Sequence, residues 1–298
     1  MKPVRIRDWI AGAAIRLNRS KLRFGHGAKS ADVEAGWIAA RAARLSPHRL
    51  HLHQARQMSL PDLRRAEQLL AERIQSRMPL AYVLKEAWLG NCRFYVDERV
   101  IVPRSPIANL LLERLDPWLN SPDSVSRGLD LCTGSGCLAI LMARTFRNMT
   151  VDAVDISPDA LAVARMNIDR TRLQRRVRLI QSNLFKSVPK RKYDVIVCNP
   201  PYVTDASMRR LPAEYRHEPQ IALRGGKDGL DLVRKIVLAS PSYLSSDGLL
   251  VLEVGRNRRA FERTLPGLPV FWIDTPDESD LVAVIDAGPL RKYCEGSA

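Results

Sequence analysis

The sequence has few cysteines, and they do not form a recognisable structural or metal-binding pattern. The five cysteines of the 298-residue chain are odd in number and show no CxxC spacing. This argues against a disulfide framework and against a zinc site. His48, His51 and His53 lie close together, but no carboxylate or cysteine nearby completes a ligand set, so we predict no bound metal. A reducing compartment fits this pattern, and we expect a cytoplasmic protein.

Long apolar runs, repeats and low-complexity tracts are also missing. The apolar residues between positions 9 and 15 are too few to span a bilayer and lack a small-residue cleavage site, so neither membrane insertion nor secretion is expected. Hydrophobic residues at 46% and charged residues at 27% are typical of folded globular proteins, which excludes a disordered chain. At roughly 150 residues per domain, the length predicts two domains.

Acidic residues are scarce relative to basic ones, which gives a formal net charge of +15. The excess is uneven, because residues 1–90 hold 17 Lys/Arg against 7 Asp/Glu. This front segment predicts an anionic partner, either nucleic acid or a ribonucleoprotein surface. A cationic face that serves only solubility is the alternative.

The front of the chain has a helical pattern, and the rest alternates strands with helices. Apolar residues recur at helical spacing between positions 6 and 40, and Ser59 to Asp62 reads as a capped helix start. We predict a small helical domain over 1–87 and a hairpin linker over 88–104 with its turn at 97–99. Residues 105–298 predict an α/β fold with a mostly parallel, doubly wound sheet. PVFWID and LVAVIDA, separated by TPDESD, predict a C-terminal antiparallel hairpin.

A glycine-rich loop after the first long strand predicts a nucleoside-cofactor site. DLCTGSG places Gly134 and Gly136 between a strand end and a helix, where the backbone can approach a ligand. Asp155 ends the next strand, where a carboxylate can accept hydrogen bonds from ribose hydroxyls. With Ala139 the loop also satisfies G-x-G-x-x-A, so a nicotinamide dinucleotide remains a rival. Asp130 favours a cationic ligand, such as the amino-acid part of S-adenosylmethionine.

The fourth strand ends in Asn199, Pro200, Pro201 and Tyr202, a short NPPY loop. The prolines restrict the backbone, so the Asn199 side-chain oxygen and the Pro200 carbonyl form a preorganised pair of acceptors beside the flat wall of Tyr202. A planar NH2 group donates two hydrogen bonds and matches such a site. As that nitrogen attacks a sulfonium methyl it becomes positive, and fixed acceptors then stabilise the transition state.

These motifs together resemble a known family. DLCTGSG, Asp155, SNLF, NPPY and GGKDGLD occur in the order found in class I S-adenosylmethionine-dependent methyltransferases of the protein-(glutamine-N5) group, also called HemK/Prm. The resemblance implies a Rossmann-like methyltransferase domain over 105–298, preceded by a basic substrate-recognition domain. It implies that the cofactor-binding residues are Asp130, Thr133, Gly134, Ser135, Gly136, Asp155, Asn183 and Asn199. It assigns substrate binding to Asn199, Pro200, Pro201, Tyr202, Phe94 and Arg104, and catalysis to Asn199, Pro200 and Tyr202.

The resemblance also implies a substrate, which is a glutamine side chain of the large-subunit ribosomal protein L-three, within an assembling particle and near ribosomal RNA. Release-factor methyltransferases of the same group usually carry an acidic residue after PRP, where this chain has PRSP at 103–106. Another departure is Asn183, because the family usually has an acidic residue there to accept the adenine amino group. We expect Asn183 to weaken cofactor binding modestly, since it keeps an oxygen acceptor but lacks the charge.

Three other functions stay open on the sequence alone, and the first is methylation of a release-factor glutamine, since release-factor methyltransferases share NPPY and the GSG-type loop. NPPY also occurs in enzymes that methylate exocyclic amines of nucleic acids, and the basic front domain fits such a substrate. An RNA-binding scaffold on a decayed methyltransferase fold is the non-enzymatic alternative, although the intact NPPY and GSG motifs argue against it. A dehydrogenase lacks support, because no residue set for hydride chemistry accompanies the loop. Glu253, at the end of the fifth strand, is a weaker site candidate, since a buried carboxylate tied to backbone amides explains it equally well.

Overall fold

The computed structural model describes residues 4–119, 121–273 and 282–296, and the front of the chain is helical as predicted. Ser30 and Ser59 cap the second and third helices by accepting the N–H groups of Val33 and Asp62 at 3.3 and 3.2 Å. The apolar helix faces pack into one core around residues such as Ile38 and Leu70. The helices are α1 (Ile6–Arg19), α2 (Ala31–Ala42), a 3-10 helix (Pro47–His53), α3 (Leu60–Ser76) and α4 (Leu80–Leu84).

A hairpin follows the helical domain, but its turn does not lie where the sequence predicted. Strands β1 (Ala87–Leu89) and β2 (Cys92–Phe94) pair antiparallel, so the turn comes at 90–91 and not at 97–99. The reason is burial, because the valines at 96, 100 and 102 are at most 1% exposed and pack against Tyr82 and Val163. That segment fills the space between the two domains and pairs with no strand. Helix α5 (Ile107–Leu112) then leads into the sheet.

The central sheet confirms the predicted α/β fold. Within the described residues it has seven strands: β3 (Arg127–Leu131), β4 (Thr150–Asp155), β5 (Val177–Gln181), β6 (Tyr193–Cys198), β9 (Leu244–Glu253), β10 (Phe271–Ile273) and β11 (Val282–Asp286). They run in the order β10-β11-β9-β6-β3-β4-β5, and β3, β4, β5, β6 and β9 pair in parallel. Strands β10 and β11 add an antiparallel hairpin at one edge, and its connecting TPDESD lies outside the described residues.

Helices cover both faces of the sheet, so the central strands are apolar on both sides. One buried cluster includes Leu138 and Val195, and the cluster on the other face includes Leu131 and Ile196. Continuous apolar runs of this kind are typical of parallel strands. Among the described helices, none is long and apolar enough to cross a membrane. The helices are α6 (Cys137–Thr145), α7 (Pro158–Thr171), α9 (Asp231–Ala239), a 3-10 helix (Ser240–Ser242), α10 (Arg258–Thr264) and α11 (Ala287–Gly296).

Between β6 and α9 the chain leaves the sheet as a segment that we call the arm, residues 203–226. It contains β7 (Val203–Thr204), α8 (Asp205–Met208), two 3-10 helices (Ala213–His217 and Gln220–Ala222) and β8 (Arg224–Gly226), and β7 pairs with β8. Glu214 of the arm is fully buried against the helical domain. Its carboxylate accepts hydrogen bonds from Arg77 at 2.5 Å and from the backbone N–H of Arg23 at 3.1 Å. The arm therefore connects the sheet to the helical domain.

Candidate active site

Parallel pairing brings the carboxyl ends of four strands to one edge of the sheet. Leu131 at the end of β3 is in register with Val154 on β4 and with Cys198 on β6, and Cys198 is in register with Leu252 on β9. The glycine-rich loop, Asp155, the NPPY loop and Glu253 consequently lie side by side. Ligands of open α/β sheets bind at this edge.

The glycine-rich loop forms a tight turn that remains open on one side. Gly134 and Gly136 have φ angles of +54° and +78°, which residues with side chains rarely adopt. A Cβ added at Gly136 would lie 3.1 Å from the Ala164 side chain, so the loop packs closely on α7. A Cβ at Gly134 would meet nothing within 4 Å, so the backbone there is open to a ligand.

Asp130 is a completely buried carboxyl group beneath this loop. One of its oxygens accepts hydrogen bonds from the Thr133 hydroxyl at 2.6 Å and from the Ala139 N–H at 3.0 Å, while the other oxygen has no partner in the described structure. Burial raises the pKa of Asp130 to about 7, although these hydrogen bonds oppose the shift. The orphaned oxygen is the acceptor that an ammonium group would satisfy.

Asp155 holds the other side of the loop. Its two oxygens accept the backbone N–H groups of Gly134 and Ser157, each at 2.9 Å. Burial raises the pKa of Asp155, and the backbone N–H groups oppose the rise. The N–H of Ser182 donates to the backbone oxygen of Asp155 at 2.9 Å, which places the exposed Asn183 on the same rim.

The NPPY loop presents an amide that has no partner of its own. Asn199 is half-buried, and its side chain makes no hydrogen bond within the described part of the chain. Pro200 and Pro201 are buried, which keeps the loop rigid. The Tyr202 hydroxyl donates to Glu253 at 2.7 Å. Asn199 therefore keeps its side-chain oxygen available to a substrate.

Glycines of the GGKDGLD motif allow the NPPY loop to pack against the arm. A Cβ at Gly225 would lie 2.7 Å from the Tyr202 Cα atom, which no side chain tolerates. Asn257 donates to the Tyr202 carbonyl oxygen at 2.9 Å from the opposite side. The motif thus has a steric role beside the NPPY loop.

A cleft of about 800 Å³ opens in front of Asn199, Pro200 and Tyr202. Its walls come from the helical domain, the hairpin, the PRSP turn and the arm, in addition to the NPPY loop. These wall residues include Phe24, Gly25, Gly27, Lys29, Trp88, Leu89, Arg104, Ser105, Thr204, Leu211 and Tyr215. The volume is in the range of sites that enclose a whole ligand.

Arg104 reaches this cleft, but its guanidinium is already bound. It donates to both oxygens of Glu218, at 2.5 and 2.8 Å, and Glu218 also accepts the Val102 N–H at 2.9 Å. Burial would raise the pKa of Glu218, but the adjacent guanidinium keeps it below its usual value. Arg104 therefore ties the PRSP turn to the arm.

Phe94 does not reach the cleft, contrary to the prediction. Its side chain is 1% exposed and packs in the core with Ile107 and Leu138. Trp88 and Leu89 of the partner strand line the cleft instead. The hairpin residues that line the cleft thus lie on β1, and none of β2 is among them.

Two positioning side chains were missed in the sequence. Asn167 on α7 is 1% exposed and donates to the carbonyl oxygens of Tyr95 and Ser135, at 3.0 and 2.9 Å, which joins the linker to the cofactor loop. An asparagine in mid-helix is unfavourable, and this was an available signal. Glu218 had no such signal, because it lies in an irregular segment far from Arg104 in sequence.

Comparisons with known proteins identify the family. Residues 107–214 match the family model of the methyltransferase small domain, and residues 13–84 match that of the PrmC N-terminal domain. The ribosomal protein uL3 glutamine methyltransferase of Bordetella pertussis is 50% identical over 286 residues, which are 96% of this chain and 96% of that protein. The enzyme of the same name from Burkholderia pseudomallei is 42% identical over 292 residues, covering 96% and 95%. The chain belongs to this methyltransferase family.

Membership confirms the predicted class I methyltransferase fold, the enzyme class and S-adenosylmethionine as the cofactor. The catalytic domain of hMettl16, solved with a 3'UTR hairpin, shares the fold with a TM-score of 0.51 at 15% identity, over 77% of this chain and 83% of that one. That likeness concerns the fold alone. Family membership leaves the nicotinamide and scaffold alternatives without support.

Proposed function

We propose that this protein transfers a methyl group from S-adenosylmethionine to the side-chain amide nitrogen of a glutamine in ribosomal protein uL3, the L-three protein predicted from the sequence. The observation that carries the proposal is the Asn199 amide, which has no partner among the described residues and faces a cleft beside the cofactor loop. The names of the two bacterial relatives support the choice of uL3.

The residues of the cofactor loop fit S-adenosylmethionine. The orphaned oxygen of Asp130 suits its ammonium group, the open backbone at Gly134 suits close approach, and Asp155 suits the ribose hydroxyls. Thr133, Ser135 and Gly136 shape the loop, and Asn183 on the rim is the proposed acceptor for the adenine amino group. The cofactor supplies an electrophilic methyl group on a sulfonium.

Asn199 and Pro200 orient the glutamine amide through its two N–H groups. The amide nitrogen is a poor nucleophile because its lone pair is delocalised, and it becomes positive as it reacts. Its N–H groups then donate more strongly, so the Asn199 oxygen and the Pro200 carbonyl bind the transition state more tightly than the ground state. Tyr202 provides a wall for the planar amide, and Pro201 keeps the loop in place. The proton leaves to solvent after transfer, so no general base is required at Asn199.

The size and composition of the cleft support a protein substrate. A glutamine side chain alone does not need about 800 Å³, and the walls from the helical domain and the arm suit a folded or extended polypeptide segment. We therefore propose that residues 1–87 recognise the substrate, residues 88–104 link the domains and residues 105–298 carry the chemistry. The net charge of the front domain suits a target surrounded by ribosomal RNA in an assembling large subunit, in the cytoplasm.

The proposed substrate is tested by labelling with S-adenosylmethionine that carries an isotopic methyl group. Purified full-length protein is incubated with uL3, with a peptide-release factor and with RNA or DNA, and the modified residue is located by mass spectrometry. We expect a methylated glutamine in uL3 and a rate that falls as salt rises. Label in a release factor but not in uL3 would refute uL3 as the substrate while leaving glutamine methylation in place. Label only in nucleic acid would refute glutamine chemistry altogether.

We predict that cofactor affinity depends on the protonation of Asp130. The ionised carboxylate attracts the ammonium group, whereas below the folded-state pKa of about 7 the carboxyl is protonated and neutral. Affinity is expected to fall about tenfold for each pH unit below that value. The sign is opposite for stability: because the pKa of Asp130 is raised from 3.8 to about 7 in the folded state, its contribution to the free energy of unfolding is largest at low pH and declines as pH rises between these two values. Calorimetry on either side of neutrality measures the effect. The Asp130→Asn variant, which cannot titrate, should bind weakly with a flatter profile, and an unchanged slope would refute the assignment.

Asp155 and Asn183 are expected to affect cofactor binding in opposite directions. Asp155→Ala removes a charged acceptor for two hydroxyls and the anchor of Gly134, so affinity should fall by about 100-fold. Asn183→Asp restores the charge usual in the family, and affinity should be equal or tighter. Calorimetric titration measures both variants. Normal affinity in Asp155→Ala would exclude this strand end from the cofactor site.

A further inference from the structure

Glu253 is a buried carboxylate in contact with the NPPY loop. It lies at the end of β9 and is 2% exposed. One oxygen accepts the Tyr202 hydroxyl at 2.7 Å, and the other accepts the Ser105 hydroxyl at 2.5 Å. Its role is therefore more specific than that of a strand-end carboxylate held by backbone amides, because two side chains of the cleft wall bind it.

The ring of Tyr202 is held on several sides. A Cβ at Gly255 would lie 2.6 Å from the ring atom Cδ2, so the ring packs directly on the backbone of the turn after β9. Asn257 fixes the Tyr202 carbonyl oxygen at 2.9 Å. These contacts limit the main chain and one ring face, and the hydroxyl bond to Glu253 fixes the far end of the side chain.

The Ser105 contact extends this arrangement to the PRSP turn. Ser105 is 4% exposed, and its hydroxyl also accepts the N–H of Ile107 at 3.3 Å at the start of α5. A buried carboxylate costs free energy unless donors surround it, and Tyr202 and Ser105 supply two of them. The carboxylate thereby joins the NPPY loop, the strand end and the turn that carries Arg104.

We propose that Glu253 is a positioning residue for methyl transfer, acting through Tyr202. By holding the hydroxyl it sets the angle of the aromatic wall against which the glutamine amide lies. Charge-assisted hydrogen bonds are short and directional, which suits this task. The inference rests on the proposed function, since the amide is the group that the wall orients.

Four single variants and one double variant test the inference with uL3 as substrate. Glu253→Ala and Tyr202→Phe should each lower kcat, by up to about 100-fold for a wall displaced by an ångström, with little change in S-adenosylmethionine affinity. The double variant should be no worse than the poorer single one, because both remove the same bond. Glu253→Gln keeps an oxygen acceptor for Tyr202 and should recover most of kcat. Ser105→Ala leaves the Tyr202 bond in place and should change kcat least.

A readout without substrate separates this inference from the proposed function. In protein carrying isotope-labelled tyrosine, the ring signal of Tyr202, identified by its loss in Tyr202→Phe, should match in the wild type and Glu253→Gln and should shift or broaden in Glu253→Ala. If uL3 is not methylated but this pattern holds, the proposed function fails and the positioning contact stands. The positioning role would be overturned if the loss of kcat in the double variant equalled the product of the two single losses. An unchanged ring signal in Glu253→Ala would also overturn it.

Discussion

Replacement of Asn199 by alanine is expected to lower kcat by about 100- to 1,000-fold, which is the usual loss when one aimed acceptor or donor is removed from such a site. The reason is that, in the proposed mechanism, the hydrogen bond to the Asn199 oxygen strengthens as the substrate nitrogen becomes positive, so that its loss destabilises the transition state more than the ground state. S-adenosylmethionine affinity should change much less, because the contacts proposed for Asp130 and Asp155 on the opposite part of the cofactor are left in place. Steady-state kinetics with uL3 and calorimetry with the cofactor measure the two effects separately.

Asn109 provides a matched control for this prediction. It is another asparagine that lines the cleft, but it is exposed on α5 and outside the NPPY loop. Asn109→Ala should leave kcat within about threefold of the wild type, since surface substitutions away from such features have small effects. Near-normal turnover of Asn199→Ala would refute the mechanism, and an equal loss in both variants would indicate damage to the cleft in general.

Replacement of Arg104 by alanine is expected to lower the free energy of unfolding by about 3 to 5 kcal/mol, because it leaves the buried Glu218 carboxylate without its cation. The side chain of Arg104 is 24% exposed and that of Glu218 is fully buried, so solvent screens this pair little. Urea unfolding of the full-length chain measures the loss. Arg104→Lys keeps the charge but not the paired hydrogen bonds, and its stability should be intermediate.

The control for Arg104 is an exposed ion pair of the arm. Arg224 lies 2.7 Å from Asp205 with its side chain 65% exposed, and Arg224→Ala should leave the unfolding transition unchanged. If Arg104→Ala is as stable as the wild type but has a raised KM for uL3, Arg104 is a substrate-binding residue as the resemblance implied. The measurement therefore decides between a structural and a recognition role.

The arm depends on the helical domain for the partner of one buried carboxylate. Glu214 is buried with Arg77 as its cation, at 2.5 Å. A chain without the helical domain would keep this carboxylate but lose its partner, so we expect the arm to be displaced. Loss of activity in such a truncation would not distinguish substrate recognition from damage to the cleft. A charge reversal on the exposed surface of α1, such as Arg19→Glu, would test recognition while leaving the Glu214–Arg77 contact in place.

The fold was largely predictable because its signals are local. Apolar residues at helical spacing and the Ser59 cap marked α3, and apolar runs marked the strands, since burial on both faces requires them. The cofactor loop and the NPPY loop were also predictable as neighbours, because parallel strands bring their carboxyl ends to one edge. The hairpin turn was predicted at the wrong place because residues 97–99 do form a local turn, with Arg99 donating to Asp97, but the valines on either side are buried between the domains and do not pair as strands.

The sequence by itself determined the sheet, the glycine-rich loop after β3 and the resemblance to the family, and it is also the source of the proposed role of Asn199. Only the tertiary structure decided that Phe94 lies in the core, that Glu218 binds Arg104, and that Glu253 and Ser105 hold Tyr202. The physical reason is the distance along the chain between these partners. A strand or a loop is specified by residues that are neighbours in the sequence. The partner of a buried charge comes from a distant segment, and no periodic pattern in the sequence indicates which segment that is.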